Sequence, residues 1–221
     1  MLKELQKLFK RKGLIEQALE ESLEMLNDCS EMFRESVKSL RESDQAEISI
    51  NIEEKDIKIN KYERDVRKKV LTHLAVNDVG DLNIGLVLLS IVVDIERVGD
   101  YTKNIVELAQ NHPGRLYLDQ WEEMLNQAEE VISRNFGVLI KAFEESNSEL
   151  AKQLLDELWS VKKQCDHCNL SLLKENELNL TIPDAVALAL YVRYLKRIAA
   201  HLMNVATSIV NPFHKIGYRK I

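Results

Sequence analysis

Residues 79–111 read VGDLNIGLVLLSIVVDIERVGDYTKNIVELAQN, and the periodicity of this stretch decides the fold. Leu82, Leu86, Leu89 and Val93 step by four, three and four residues, the spacing of one face of an α-helix. The other side holds Ile84, Ile91, Ile95, Val98 and Ile105, so the helix is apolar nearly all round and belongs in an interior. The next two steps along the leucine stripe land on Glu96 and Asp100. The pattern predicts a buried helix with two acids on its core-facing stripe.

Outward from this helix, strand alternation is nearly absent. The β-branched residues of 47–59 suggest a strand in isolation, yet Ile48, Ile52, Ile59, Tyr62, Val66, Val70 and Leu74 share one helical face. Helix starts are marked by residues whose side chains accept from the unpaired N–H groups of a first turn. Asp44-Gln-Ala-Glu47 and Ser146-Asn-Ser-Glu149 resemble capping boxes, Asn77-Asp78 can open a third helix, and Thr181 can cap a sixth with Pro183 in its first turn. Helices are expected over 14–42, 45–75, 79–111, 118–145, 147–178 and 182–210.

The two halves are related. A shift of 100 residues sets Leu88 on Leu188, Val92 on Val192, Arg97 on Arg197 and Asn104 on Asn204, and both third helices end at a proline. Short connections imply antiparallel neighbours. The fold class is therefore all-α: two tandem three-helix bundles, up-down-up, over residues 1–114 and 115–221 and related by a pseudo-twofold.

Composition agrees and narrows the function. Hydrophobic residues at 45% and charged ones at 30% suit amphipathic helices rather than disorder. A formal net charge of −6 argues against a nucleic-acid binder. Three Cys make no disulfide framework, which points to a reducing, cytoplasmic compartment. The run Ile84–Val93 is ten residues long, against about 20 for a membrane span, and the N-terminus lacks the apolar core of a signal peptide. Cys165-Asp-His167-Cys168 has no second cysteine pair to complete a zinc site. The basic stretches Lys3–Lys12 and His214–Lys220 fit solvated chain ends.

Most acid pairs at i, i+4, among them Glu16/Glu20, Glu24/Asp28 and Glu31/Glu35, fit a solvated surface. Glu96 and Asp100 differ because the apolar pattern runs into them. Asp56 and Glu63 repeat the oddity beside Ile52, Ile59 and Val66, with Asn60 on the same side. A buried carboxylate must be paired, protonated or bound to a cation, and an all-oxygen cluster suits hard or borderline cations such as Mg, Mn or Fe. The alternative is a helix that turns outward after Val93, leaving Glu96 and Asp100 wet or paired with Arg97 or Lys103.

The segment Asp94-Ile-Glu96-Arg97-Val-Gly99-Asp100-Tyr-Thr-Lys-Asn104-Ile105 resembles the signature of the PhoU family on the third helix of its three-helix repeat. Asp56-Ile-Lys-Ile-Asn60-Lys-Tyr-Glu63 is similar to the family's second-helix segment. The resemblance implies a cytoplasmic, non-enzymatic regulator of phosphate uptake and signalling, peripheral to the membrane through its partners. Those partners are a phosphate ABC transporter ATPase and a sensor histidine kinase, and a homodimer is among the assemblies left open. An accessory module of a sodium–phosphate cotransporter is the alternative. A metal-dependent hydrolase lacks an obvious base or nucleophile.

By the same resemblance, Glu96 and Asp100 are the main metal ligands, Asp56 and Glu63 weaker candidates, and Asp94 weaker still; the metal would be Fe, Mn, Mg or Zn. The second unit departs from the pattern. It carries Lys196 and Ala200 for the motif's two acids, Ala199 for its glycine, and Lys162 and Asn169 where Asp56 and Glu63 stand. One metal site at most is expected, in the first repeat. Lys196 or Arg193, brought near by the twofold, is a candidate to neutralise the acids without metal.

Overall fold

The computed structural model describes residues 13–76, 79–174 and 179–218. Six long helices are found among them and no strand: α1 Leu14–Arg41, α2 Ile52–Val76, α3 Leu82–Asn111, α4 Glu122–Glu144, α5 Ser148–Lys174 and α6 Ile182–Val210. In each repeat three helices pack on one another. The repeats join chiefly through α3 on α6, with α1 on α4 beside it, while α2 and α5 lie on the flanks. The expected pair of three-helix units is the fold that forms.

Helix ends follow local chemistry, and two caps differ from expectation. The second helix begins at Ile52 rather than near 45, because Asn51 takes the cap: the Glu54 N–H donates to Asn51 Oδ1 at 3.0 Å. Asp44 instead accepts from the Arg115 N–H at 3.3 Å, which ties the loop to the inter-repeat linker. In the fifth helix Asn147, not Ser146, caps, its Oδ1 accepting from the Glu149 and Leu150 N–H groups. Ser146 has φ +50° and Ala46 φ +52°, so the two turns share a left-handed residue at positions 100 apart. Thr181 caps α6 as expected, accepting from the Asp184 N–H at 3.2 Å. The Asn77-Asp78 start, the Lys3–Lys12 stretch and the tail beyond Tyr218 lie outside the described residues.

One hydrophobic core runs through both repeats, from Met25 and Phe33 through Ile95 and Ile105 to Phe136 and Leu195. The core face of α3 is not the expected leucine stripe. Leu88, Ile91, Val92, Ile95, Val98 and Ile105 are fully buried, whereas Leu82 is 44% exposed and Leu86, Leu89 and Val93 are half-buried on a flank. A helix apolar on every side leaves its orientation to its neighbours, and α1 and α6 take the isoleucine side. The flank that remains faces α2. Gly85 and Gly99 let α2 come close there: a Cβ on Gly99 would stand 3.2 Å from Ile59 Cδ1, and one on Gly85 3.0 Å from Leu74 Cδ1.

The repeats are also joined by a buried ionic network. The Arg41 side chain, 6% exposed at the end of α1, reaches α4, donating to Glu122 at 2.6 and 3.0 Å and to Glu129 at 3.0 Å, and also to the Leu116 carbonyl. The Tyr191 hydroxyl of α6 donates to Glu129 at 2.7 Å. Burial raises the Glu129 carboxyl above its ordinary range despite the Arg41 charge beside it. For Glu122 burial is outweighed by the Arg41 and Leu118 hydrogen bonds, and its carboxyl lies below that range. The linker is fixed nearby, the His112 ring bridging Gly114 O at 2.6 Å and Asp184 Oδ1 at 3.1 Å. Removing one member of a buried pair strands the other. Arg41→Ala is therefore expected to lower the free energy of unfolding by about 3–5 kcal/mol in denaturant titrations.

Candidate functional site on the α2–α3 seam

The close approach of α2 and α3 at Gly99 and Ile59 sets two rows of polar side chains along one seam. Asp56, Asn60 and Glu63 come from successive turns of α2, and Glu96, Asp100 and Lys103 from α3. Asp56 and Glu96 are each 13% exposed, Glu63 14% and Asp100 33%, so three of the four carboxylates are mostly withdrawn from water. They are withdrawn because they continue the half-buried flank of Leu86, Leu89 and Val93 rather than the core face.

Each carboxylate has a basic neighbour. Lys103 Nζ lies 3.3 Å from Asp56 Oδ2, and Asn60 donates to the same oxygen at 3.3 Å. Arg67 pairs with Glu63 at 2.8 Å, one turn along α2. Arg97 pairs with Asp100 at 2.8 Å and stands 3.5 Å from Glu96. Glu96 is the poorest served. Burial first, then the charge of Asp100, raise its carboxyl above the ordinary glutamate range; Arg97 acts against this, and Glu63 and Asp56 add to it. Both alternatives left by the sequence are thus partly realised, since the acids are shielded and also paired.

The seam brings the four expected residues onto one face and leaves Asp94 out. Asp94 points across the pseudo-twofold, where Oδ1 accepts from His201 Nδ1 at 2.7 Å and Asn204 Nδ2 at 2.9 Å. Its counterpart Tyr194 meets Tyr101, the counterpart of His201, with ring centroids 6.1 Å apart. Tyr101 also stacks on His201 at 5.8 Å. Lys196 and Arg193 do not neutralise the first repeat's acids. Lys196 pairs with Asp166 of its own repeat, and Arg193 is exposed and joined to none of them. Lys103, Arg67 and Arg97 supply the counter-charge. Lys103, named from the sequence as a partner for Glu96 or Asp100, reaches Asp56 of α2 instead, and Arg67 went unassigned because it follows Glu63 at ordinary helical spacing on a polar face.

The donor set fits a hard cation in kind, being oxygen throughout around an under-compensated Glu96. Among the described residues no three His, Cys, Asp or Glu side chains converge to hold a metal ion; the acids are turned to Lys103, Arg67 and a shared Arg97. A cation at this seam would have to take Glu96 and Asp100 from Arg97, Asp56 from Lys103 and Glu63 from Arg67. Cys165 and Cys168 offer no rival site: both are buried, and burial lifts each thiol to about 12.

The sequence matches the PhoU domain twice, over residues 22–109 and 122–209. The chain belongs to the PhoU family. It is similar to the "Phosphate-specific transport system accessory protein PhoU homolog" of Synechocystis, 24% identical over 184 residues that make up 81% of this chain and 80% of that protein. PhoU from Pseudomonas aeruginosa superposes with a TM-score of 0.75 at 18% identity, over 89% of this chain and 95% of that one. The phosphate transport system regulatory protein PhoU from Streptococcus pneumoniae gives 0.74 at 18%, over 89% and 93%. The PhoU fold thus spans the double bundle, with the seam on the flank of its first repeat. No helix among the described residues is long and apolar enough to cross a membrane.

Two titrations separate the strained acid from a satisfied one. The folded chain keeps a proton on Glu96 that the unfolded chain has released, so metal-free stability falls as pH rises from the ordinary glutamate value to the raised one. Glu96→Gln is expected to remove that fall and raise the unfolding free energy near neutrality by up to about 1 kcal/mol, read from thermal melts across pH. Asp28 behaves oppositely. It is buried, and hydrogen bonds from Lys55 and Lys58 outweigh burial and hold its carboxyl low. Its stabilisation is present above the unfolded aspartate value and is lost as pH falls through the folded one, so Asp28→Asn is expected to flatten the acid limb.

Proposed function

We propose that this PhoU-family chain is a cytoplasmic, non-enzymatic regulator of phosphate uptake and phosphate signalling. It would act as an adaptor on the ATPase of a phosphate ABC transporter and on a sensor histidine kinase. The double match to the PhoU domain, covering most of both repeats, carries this reading. The similarity to the Synechocystis relative, named as an accessory protein of a phosphate-specific transport system, supports it. The seam offers acids that are paired or crowded and, among the described residues, no histidine, cysteine or serine set up as a nucleophile beside them, which suits binding better than turnover. Deleting the gene in phosphate-replete cells is expected to raise phosphate uptake and derepress phosphate-responsive transcription. The tagged protein is expected to recover the transporter ATPase. Unchanged uptake together with no recovered ATPase would refute the reading.

Within that role the α2–α3 seam is a cation site, with Glu96 and Asp100 as principal ligands and Asp56 and Glu63 in support. A divalent or iron-type ion there would replace Arg97 and Lys103 as the counter-charge and relieve the repulsion on Glu96, so that metal content controls the charge of this face towards a partner. Protein loaded with Mn or Fe is expected to hold stoichiometric metal by elemental analysis and to lose it in Glu96→Ala. Free metal at about one hundred times Kd is expected to add about 2.7 kcal/mol to the unfolding free energy. No retained metal and no shift in melting with any of Mg, Mn, Fe or Zn would sink the site.

A further inference from the structure

The corresponding seam of the second repeat carries the opposite charge. Lys196 stands where α3 has Glu96, Arg197 where it has Arg97, and Lys162 of α5 where α2 has Asp56; Ala200 and Asn169 replace Asp100 and Glu63. On the α5–α6 seam Lys162 lies within electrostatic reach of Lys196, Arg197 and Asp166. Lys162 is half-buried with its ammonium over the Trp159 ring, 5.1 Å from the centroid, and Lys163 lies over the same ring at 5.7 Å. Lys196 is 26% exposed and bound to Asp166. Arg197 is turned towards Tyr101, its Nε 3.2 Å from the hydroxyl and its guanidinium over the ring at 5.7 Å.

The compensation seen in the first repeat is not repeated. There every acid has a base beside it. Here, among the described residues, no carboxylate lies within ion-pair distance of Lys162, and Asp166, 58% exposed, is engaged by Lys196. Burial, and then the neighbouring charges of Lys196 and Arg197, hold Lys162 below the ordinary lysine range, Asp166 alone acting against them. Cations crowded along a half-buried seam with too little counter-charge favour a bound anion, and ammonium groups bind phosphate as point charges.

We propose that the α5–α6 seam binds a small oxyanion of the phosphate class between Lys162 and Lys196, so that the two repeats present binding faces of opposite sign. The proposal does not rest on the cation site of the first repeat. In the test, inorganic phosphate is titrated into the full chain while the side-chain NMR signals of Lys162 and Lys196 are followed, with chloride at matched ionic strength as the control. The expected result is a saturable shift at both lysines that chloride does not reproduce, with Lys162 becoming more basic. Lys162→Gln and Lys196→Gln are each expected to weaken phosphate binding about tenfold. Lys162→Arg should retain most of it, and Glu96→Gln all of it. Lys162→Gln removes like-charge crowding, so its melting temperature without phosphate should not fall. An equal response to chloride, or phosphate binding unchanged in both glutamine variants, overturns the proposal. Metal content is measured separately and decides only the first-repeat site.

Discussion

A helix enclosed on three sides has little room for an unmatched charge, and α3 is packed by α1, α2 and α6. Every polar residue along it must find a partner or a strip of solvent. Asp94 finds one across the pseudo-twofold, in His201 and Asn204. Glu96 and Asp100 find theirs on the flank facing α2, with Arg97 between them and water. The direction of each side chain follows from the turn of helix it occupies, and one short segment thereby serves both the join between repeats and the candidate binding face.

Enclosure also explains what the sequence disclosed. An apolar pattern running nearly round α3 announces burial, and the 100-residue correspondence announces that the arrangement occurs twice. Cap chemistry located the start of α6 at Thr181, whose hydroxyl accepts from the Asp184 N–H. It misplaced the start of α2, because Asp44 and Asn51 are both able to cap and the linker at Arg115 claims the first. Local patterns cannot register a demand made by residues 71 positions away.

Which acids share the seam was legible, and their pairing was legible only for Arg97. Glu96, Asp100, Asp56 and Glu63 do share a seam, since periodicity within each helix fixes the face once the helices are adjacent. Whether the leucine stripe or the isoleucine side turned inward was beyond reach, as both are apolar, and the choice made by α1 and α6 moved the acids from the core to its margin. Arg67 was hidden among many charges at common spacings, and Lys103, offered as a partner for Glu96 or Asp100, turned to Asp56 across the seam. Glu129 was hidden more thoroughly: nothing in its helix marks it apart from other glutamates, and only the reach of Arg41 and Tyr191 accounts for its burial.

The Arg41 network has a bearing on how the duplicated repeat is able to assemble. At the 100-residue equivalents of Glu129, Glu122 and Tyr191 the first repeat carries Cys29, Ser22 and Ile91. Two copies of the first repeat docked through this face would enclose two guanidinium groups with no acid to receive them. The same surface that welds the halves of one chain thus forbids the first half from pairing with its own likeness, and an exchange of that half between chains remains available only when a second half comes to meet it.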